Sequence, residues 1–237
     1  MTRARSTPPV LTDDSRFSLP LYTTAEAARA VDVPPTTFAR WARGLPTSIV
    51  TTVRGADARQ PSVPFVGLAE GMVLAAIRRA GVPLQRIRPA LEVLTTTIGI
   101  EHALASRSLY TDGAEVLFDY AAQSDGEGKA DLARELVVVR RGQRVFADVV
   151  EEYLRRIEYG PDGYARLVRL PAYDRAEVVA DPKRSFGQPI FARGGARVSD
   201  VLERFWAGEG LDELVEEFGV PSDQLEDVLR VASRRAA

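Results

Sequence analysis

Two consecutive prolines, Pro34 and Pro35, follow an alanine-rich run and decide how the front of this chain can fold. Proline fixes φ and lacks an N–H, so it breaks a helix from within yet suits the first helical position, where that donor has no partner. The run before the prolines begins at Thr23 or Thr24, either of which can cap a short helix with Glu26 in its first turn. Ala25, Ala27, Ala28 and Ala30 are small enough to let a second helix approach. Val31-Asp32-Val33-Pro34 reads as a turn, and Pro35 opens a second helix that Gly44 would end. Two short helices joined in this way form a helix-turn-helix, with Thr36, Thr37, Arg40, Trp41 and Arg43 on the second helix.

The segment beyond it reads as a wing. Thr47 to Val53 is β-branched and predicts a strand, residues 54–61 a polar loop, and Ser62 to Val66 a returning strand, with Arg54 and Arg59 near the tip. Gly67 to Ala80 then repeats apolar residues at helical spacing until Gly81, and another helix is expected from Pro83 through Leu94. Phe38 and Trp41, three residues apart, should pack inward, leaving Thr36, Thr37, Arg40 and Arg43 largely on the opposite side. Arginines there could fork onto guanine, the threonines could reach phosphate or a thymine methyl, and wing arginines could hold the backbone.

Charge agrees with that placement. Residues 1–110 carry thirteen arginines against eight acids, whereas residues 111–237 carry eighteen basic residues against twenty-five acids. A polyanion would meet the first half. Cysteine is absent and His102 is the one histidine, which removes thiol nucleophiles, disulfides, thiolate zinc sites and histidine-based triads. His102 is expected to be a surface or packed side chain. Asp112, Glu115 and Asp119 suit a solvated hairpin better than a metal site, and Gly194-Gly195 reads as a turn, so no cofactor, no metal and no catalytic residue is expected. An enzyme built on Asp112, Glu115 or Glu151 is the remotest alternative. Residues 1–20 read as a flexible tail without a leader-like apolar run, no run approaches a membrane span, and the cytoplasm is the default location.

Residues 106–178 read as a small α+β connecting element. Ser108 to Thr111 and Glu115 to Tyr120 flank Asp112-Gly113 as a hairpin, Leu136 to Arg140 pairs with Gln143 to Phe146, a helix runs from Phe146 to Ile157, and Tyr164 to Leu170 is a strand. In the last stretch, Leu211 to Phe218 and Ser222 to Arg234 flank Gly219-Val220-Pro221 with helix-turn-helix spacing. Residues 197–237 hold five arginines against ten acids, with Asp223, Glu226 and Asp227 early in the second helix, so phosphate would be repelled there. This part is expected to contact protein, with Phe205, Trp206 and Phe218 in the core or, failing that, at an interface.

Three resemblances sharpen the reading. Tyr22-Thr23-Thr24-Ala25-Glu26-Ala27-Ala28-Arg29 with Val33-Pro34-Pro35-Thr36-Thr37-Phe38 resembles the opening of the MerR family of winged-helix DNA-binding proteins, and Gly81 to Leu91 is similar to that family's second helix pair. Asp32 stands where the family usually has glycine and Ala39 where it commonly has a phosphate-touching arginine, while Trp41 keeps the family's aromatic. Val179-Ala180-Asp181-Pro182, Gly187-Gln188-Pro189-Ile190-Phe191, Arg197-Val198, Val201-Leu202, Gly208 and Leu214-Val215 resemble the domain family DUF433. Together the two ends resemble the mycobacterial VapB-type antitoxins that carry DUF433. The resemblance implies a type II antitoxin that binds its own operator DNA and neutralises a PIN-domain ribonuclease toxin. A homodimer on a pseudo-palindrome is expected, since one helix-turn-helix offers few contacts. A MerR-like ligand-responsive transcription regulator is the alternative. The fold expected is α+β, mainly α: a flexible tail at 1–20, a MerR-like winged helix at 21–105, the connecting element at 106–178, and a three-helix DUF433 domain at 179–237 with short strands between.

Overall fold

The computed structural model describes residues 15–43, 48–53, 60–81, 91–92, 101–111, 113–114, 137–140 and 143–236. Its centre is α4 (Phe65–Arg79), in which every residue from Phe65 to Ile77 is buried. A helix apolar on all sides is stable only inside a protein, with the other elements laid around it. Packed against α4 are α1 (Ser15–Ser18), α2 (Thr24–Ala30), a 3-10 turn at Ala103–Ala105, and elements further along the chain. Two glycines permit this closeness. A Cβ at Gly67 would lie 2.3 Å from the Thr51 carbonyl oxygen, and one at Gly71 would lie 2.5 Å from Phe38 Cε2 on α3 (Pro35–Arg43).

After α5 (Arg107–Thr111), a hairpin pairs β1 (Val137–Arg140) with β2 (Gln143–Phe146), Val138 opposite Val145. Helix α6 (Asp148–Leu154) returns to pack on α4. A four-stranded antiparallel sheet follows in simple chain order: β3 (Ile157–Tyr159), β4 (Ala165–Arg169), β5 (Val178–Ala180) and β6 (Ile190–Phe191). Val168 faces both Ile157 and Ala180 across the ladder. Three helices close the chain: α7 (Val198–Trp206), α8 (Leu211–Phe218) and α9 (Ser222–Ala236). One continuous apolar core runs from Tyr22 and Phe38 through α4 and the sheet to Leu214 and Val231. The architecture is α+β and mainly α, as the sequence predicts. Among the described residues no helix is long and apolar enough to cross a membrane.

Several expectations are corrected. Residues 15–20 do not belong to the tail expected at 1–20, because Ser15–Ser18 close a helical turn and buried Arg16 pairs with Asp162 while donating to the Ala165 carbonyl at 2.9 Å; residues 1–14 lie outside the described residues. The strands expected at 47–53 and 62–66 are not a ladder in the described part. Val53 N–H donates to the Ser62 carbonyl at 2.8 Å, but Val63 bridges to Tyr22 instead, and α4 starts at Phe65. Ser108 to Thr111 lie on α5, not in a hairpin, since Ser106 Oγ accepts the Ser108 N–H at 3.2 Å and Leu109 is buried. Ile157 ends no helix but opens β3, because α6 stops at Leu154 and Ile157 is needed opposite Val168. Trp206 is not core: it stands 60% exposed at the end of α7, whereas Phe205 and Phe218 pack against the core. Asp112, the hairpin strand 115–120 and most of the helix expected from Pro83 lie outside the described residues.

Candidate nucleic-acid interface

Helix α2 begins with a reciprocal cap. The Thr23 hydroxyl accepts the Glu26 N–H at 3.2 Å and the Glu26 carboxylate accepts the Thr23 N–H at 2.8 Å, satisfying donors that a helix start leaves open. The turn to α3 passes through Asp32 at φ 56, a left-handed conformation that Asp tolerates better than most residues. Val33 N–H closes back on the Ala28 carbonyl at 3.0 Å. Arg79, at the far end of α4, braces the turn by donating to both the carbonyl and the carboxylate of Asp32 at 2.8 Å, and its guanidinium lies 5.2 Å from the Tyr153 ring centre. Sequence reading missed this brace, because nothing local connects residues 47 apart.

On α3 the division of faces follows from spacing. Phe38, Trp41 and Ala42 are buried, the two rings 6.0 Å apart at 50°. Thr36, Arg40 and Arg43, at intervals of four and three, are exposed and share the opposite side, with Thr37 half-buried beside them. Ala39, also half-buried, presents no charge. The chain beyond α3 is tied back to it by the Ile49 and Val50 N–H groups, which donate to the Trp41 carbonyl at 3.0 and 3.4 Å. Arg54 and Arg59 lie outside the described residues.

The base of the expected wing is held by a polar cluster. Glu70, the one acid within α4, is 3% exposed. Its carboxylate accepts the Thr51 N–H at 2.5 Å and the Thr51 hydroxyl at 3.0 Å, and His102 Nδ1 sits 3.0 Å from Glu70 Oε1 and 2.8 Å from Thr51 Oγ1. The hydrogen bond to Glu70 raises the His102 pKa above its ordinary value, against the opposing effect of burial and with help from the charges of Glu70 and Glu101. The sequence held a signal for this cluster: a lone carboxylate in an otherwise apolar run must find partners when buried. His102 is a packed side chain, 5.2 Å from the Phe17 ring centre.

Asp227, an acid early in α9, has a structural duty. Burial acts to raise the Asp227 carboxyl, but the Ala176 and Arg175 N–H groups at 3.0 and 2.8 Å and the Arg230 guanidinium outweigh it and hold the group below the usual carboxylate range. This bond set ties α9 to the loop before β5. Gly194 and Gly195 take φ of 77 and 76 in a turn, as the sequence suggests.

Comparison with known proteins matches residues 20–91 to the family described as "Putative DNA-binding HTH domain" and residues 178–232 to "Protein of unknown function (DUF433)". The chain is 47% identical over 227 residues to "Putative antitoxin VapB45" of Mycobacterium tuberculosis, covering 90% of this chain and 94% of that one. It is 29% identical over 223 residues to "Uncharacterized protein Rv2308" of the same organism, covering 88% of each chain. The crystal structure of Rv2018 from M. tuberculosis superposes with a TM-score of 0.83 at 47% identity, over 90% of this chain and 99% of that one. Matched to VapB45 along nearly the whole of both chains, and with the helix-turn-helix match preceding the DUF433 match, this protein belongs to the VapB45 family.

Proposed function

We propose that this chain is the antitoxin of a type II toxin-antitoxin pair that binds operator DNA and neutralises a PIN-domain ribonuclease toxin. The observation that carries the DNA half is the two-faced α3. Its apolar side is spent on the core, so exposed Thr36, Arg40 and Arg43, with Thr37 beside them, are left for a groove. Arg40 and Arg43 would read bases, the threonines would hold phosphate or a thymine methyl, and Arg54 and Arg59 would hold the backbone from the wing. Two copies on a pseudo-palindrome would double the contacts. The toxin half is supported by the name of the VapB45 relative and by the anionic C-terminal helices, on which Asp212, Glu213, Glu216, Glu217, Asp223 and Glu226 are exposed. A ribonuclease groove is cationic, so such a surface is complementary to it. No catalytic role is assigned to the chain, and its place would be the cytoplasm with its operator. The test is co-expression with the product of the adjacent reading frame. Co-purification and relief of growth arrest are expected, and an adjacent nuclease that is neither bound nor silenced removes the antitoxin assignment.

A further inference from the structure

Within the anionic half of the chain, residues 182–197 carry Lys183, Arg184, Arg193 and Arg197 and no acid. All four are exposed. The fold gathers them from two turns, one before β6 and one after it. The first is wound around Asp181, whose carbonyl accepts the Arg184 and Gly187 N–H groups at 2.9 and 3.1 Å and whose carboxylate accepts the Lys183 N–H at 2.9 Å. The second turns at Gly194-Gly195, and Arg184 lies against it: a Cβ on Gly195 would come 2.7 Å from Arg184 Nη2. Arg197 is engaged by Asp200 at 3.1 Å, while Arg184 and Arg193 stand exposed on the two turns.

Backbone conformation adds an aromatic. Ser185 and Phe186 take φ of 46 and 53 and Gly187 follows at 74, three left-handed residues in succession, two of them unfavourable for an L side chain. The strain does not serve packing, because Phe186 ends 47% exposed. It leaves the ring half out of the surface, on the same turn as Arg184.

The same loop is bolted to the helix-turn-helix. The buried Tyr22 hydroxyl donates to the Gly187 carbonyl at 2.7 Å, and a Cβ at Gly187 would lie 2.6 Å from that hydroxyl oxygen and 3.2 Å from Leu21 Cδ1. Tyr22 immediately precedes the Thr23 cap of α2 and exchanges backbone hydrogen bonds with Val63, two residues before α4, at 3.0 and 2.9 Å. The cationic turns are therefore fixed beside the unit that presents α3.

We infer that the turns at 182–197 form a second DNA-contacting surface, in which Arg184 and Arg193 hold backbone phosphates of the duplex read by α3 and Phe186 lies against its minor groove. This rests on the operator-binding reading. Duplex DNA fits better than an acidic protein because the loop is hydrogen-bonded to Tyr22 at the start of the helix-turn-helix and sets an exposed aromatic beside cations, the pairing used by minor-groove wedges. An acidic protein, such as the α8 face of a second copy, is the competing occupant.

The test uses the full chain and a fluorescent duplex from upstream of its gene, with anisotropy titrations across a salt series. R184A, R193A and F186A are compared with the unmodified chain after thermal melts establish that all are folded, and F186G, which accepts the left-handed conformation, controls for the backbone. Removing each phosphate contact should lower the slope of log K against log salt by about 0.9 and leave discrimination against base-substituted duplexes unchanged. F186A and F186G should weaken binding together. Unchanged slopes and affinities in all variants overturn the second surface while leaving operator binding by α3 intact, as does a loss of self-association without any change in DNA binding. A chain that binds no upstream duplex at all overturns both readings.

Discussion

Arg40 and Trp41 are neighbours in sequence with opposite duties, and substitution should separate them. Trp41→Ala should destabilise the fold by about 3 to 5 kcal/mol, since the ring is 2% exposed, and a urea unfolding curve measures it. Arg40→Ala and Arg43→Ala should leave that curve in place while relaxing base preference by about 1 to 3 kcal/mol at the position each reads, seen by competition with base-substituted duplexes. His102 supplies a pH dependence. Its folded pKa is raised through the bond to Glu70, so the protonated ring favours the folded state. That stabilisation is complete below the ordinary histidine value and disappears as pH rises through the higher folded value. Chemical unfolding at stepped pH should show the decline, and His102→Gln should flatten it. At this scale the sequence was legible wherever a residue's role follows from its own helix: the exposed arginines, the buried rings, the left-handed Asp32. It was silent on Arg79 against Asp32 and Tyr22 against Gly187, because both are set by chain segments far apart.

Elements that carry their own stop signals were also the readable ones. Pro35 and the Thr23–Glu26 pair mark α2 and α3, and the β1–β2 and β4 segments fall where β-branched spacing places them. The failures share one cause, tertiary partners overriding local propensity. Val63 pairs with Tyr22, and Ser108 to Thr111 follow Ser106 and the burial of Leu109 into α5. Helix α4 shows the trade most clearly. Gly67 and Gly71 weaken it as an isolated helix, yet each spares a collision with the chain it supports. Gly71→Ala should therefore destabilise by about 1 to 3 kcal/mol in spite of better helix propensity, because Phe38 and with it α3 must move. Calorimetric melting measures the loss, and the displaced α3 should weaken duplex binding as well. A Gly71→Ala chain that melts higher than the original would show that α3 is not seated on α4 in this way.

Across the whole molecule, charge separates more finely than the two halves of the sequence suggest. Cations lie exposed on α3, and a second cationic surface interrupts the anionic half at 182–197, bound to the base of the helix-turn-helix through Tyr22. The acids of α8 and α9 form the remaining face. One core joins all of it, so the cationic and anionic surfaces belong to a single body, through which the proposed contacts with DNA and with protein would both be made. Sedimentation of the full chain with upstream duplex and the purified product of the adjacent reading frame tests this arrangement. One species containing all three components is predicted, losing only the duplex when Arg40 and Arg43 are both replaced by alanine. Duplex and adjacent product that exclude one another, or a duplex retained by the double variant, would contradict it.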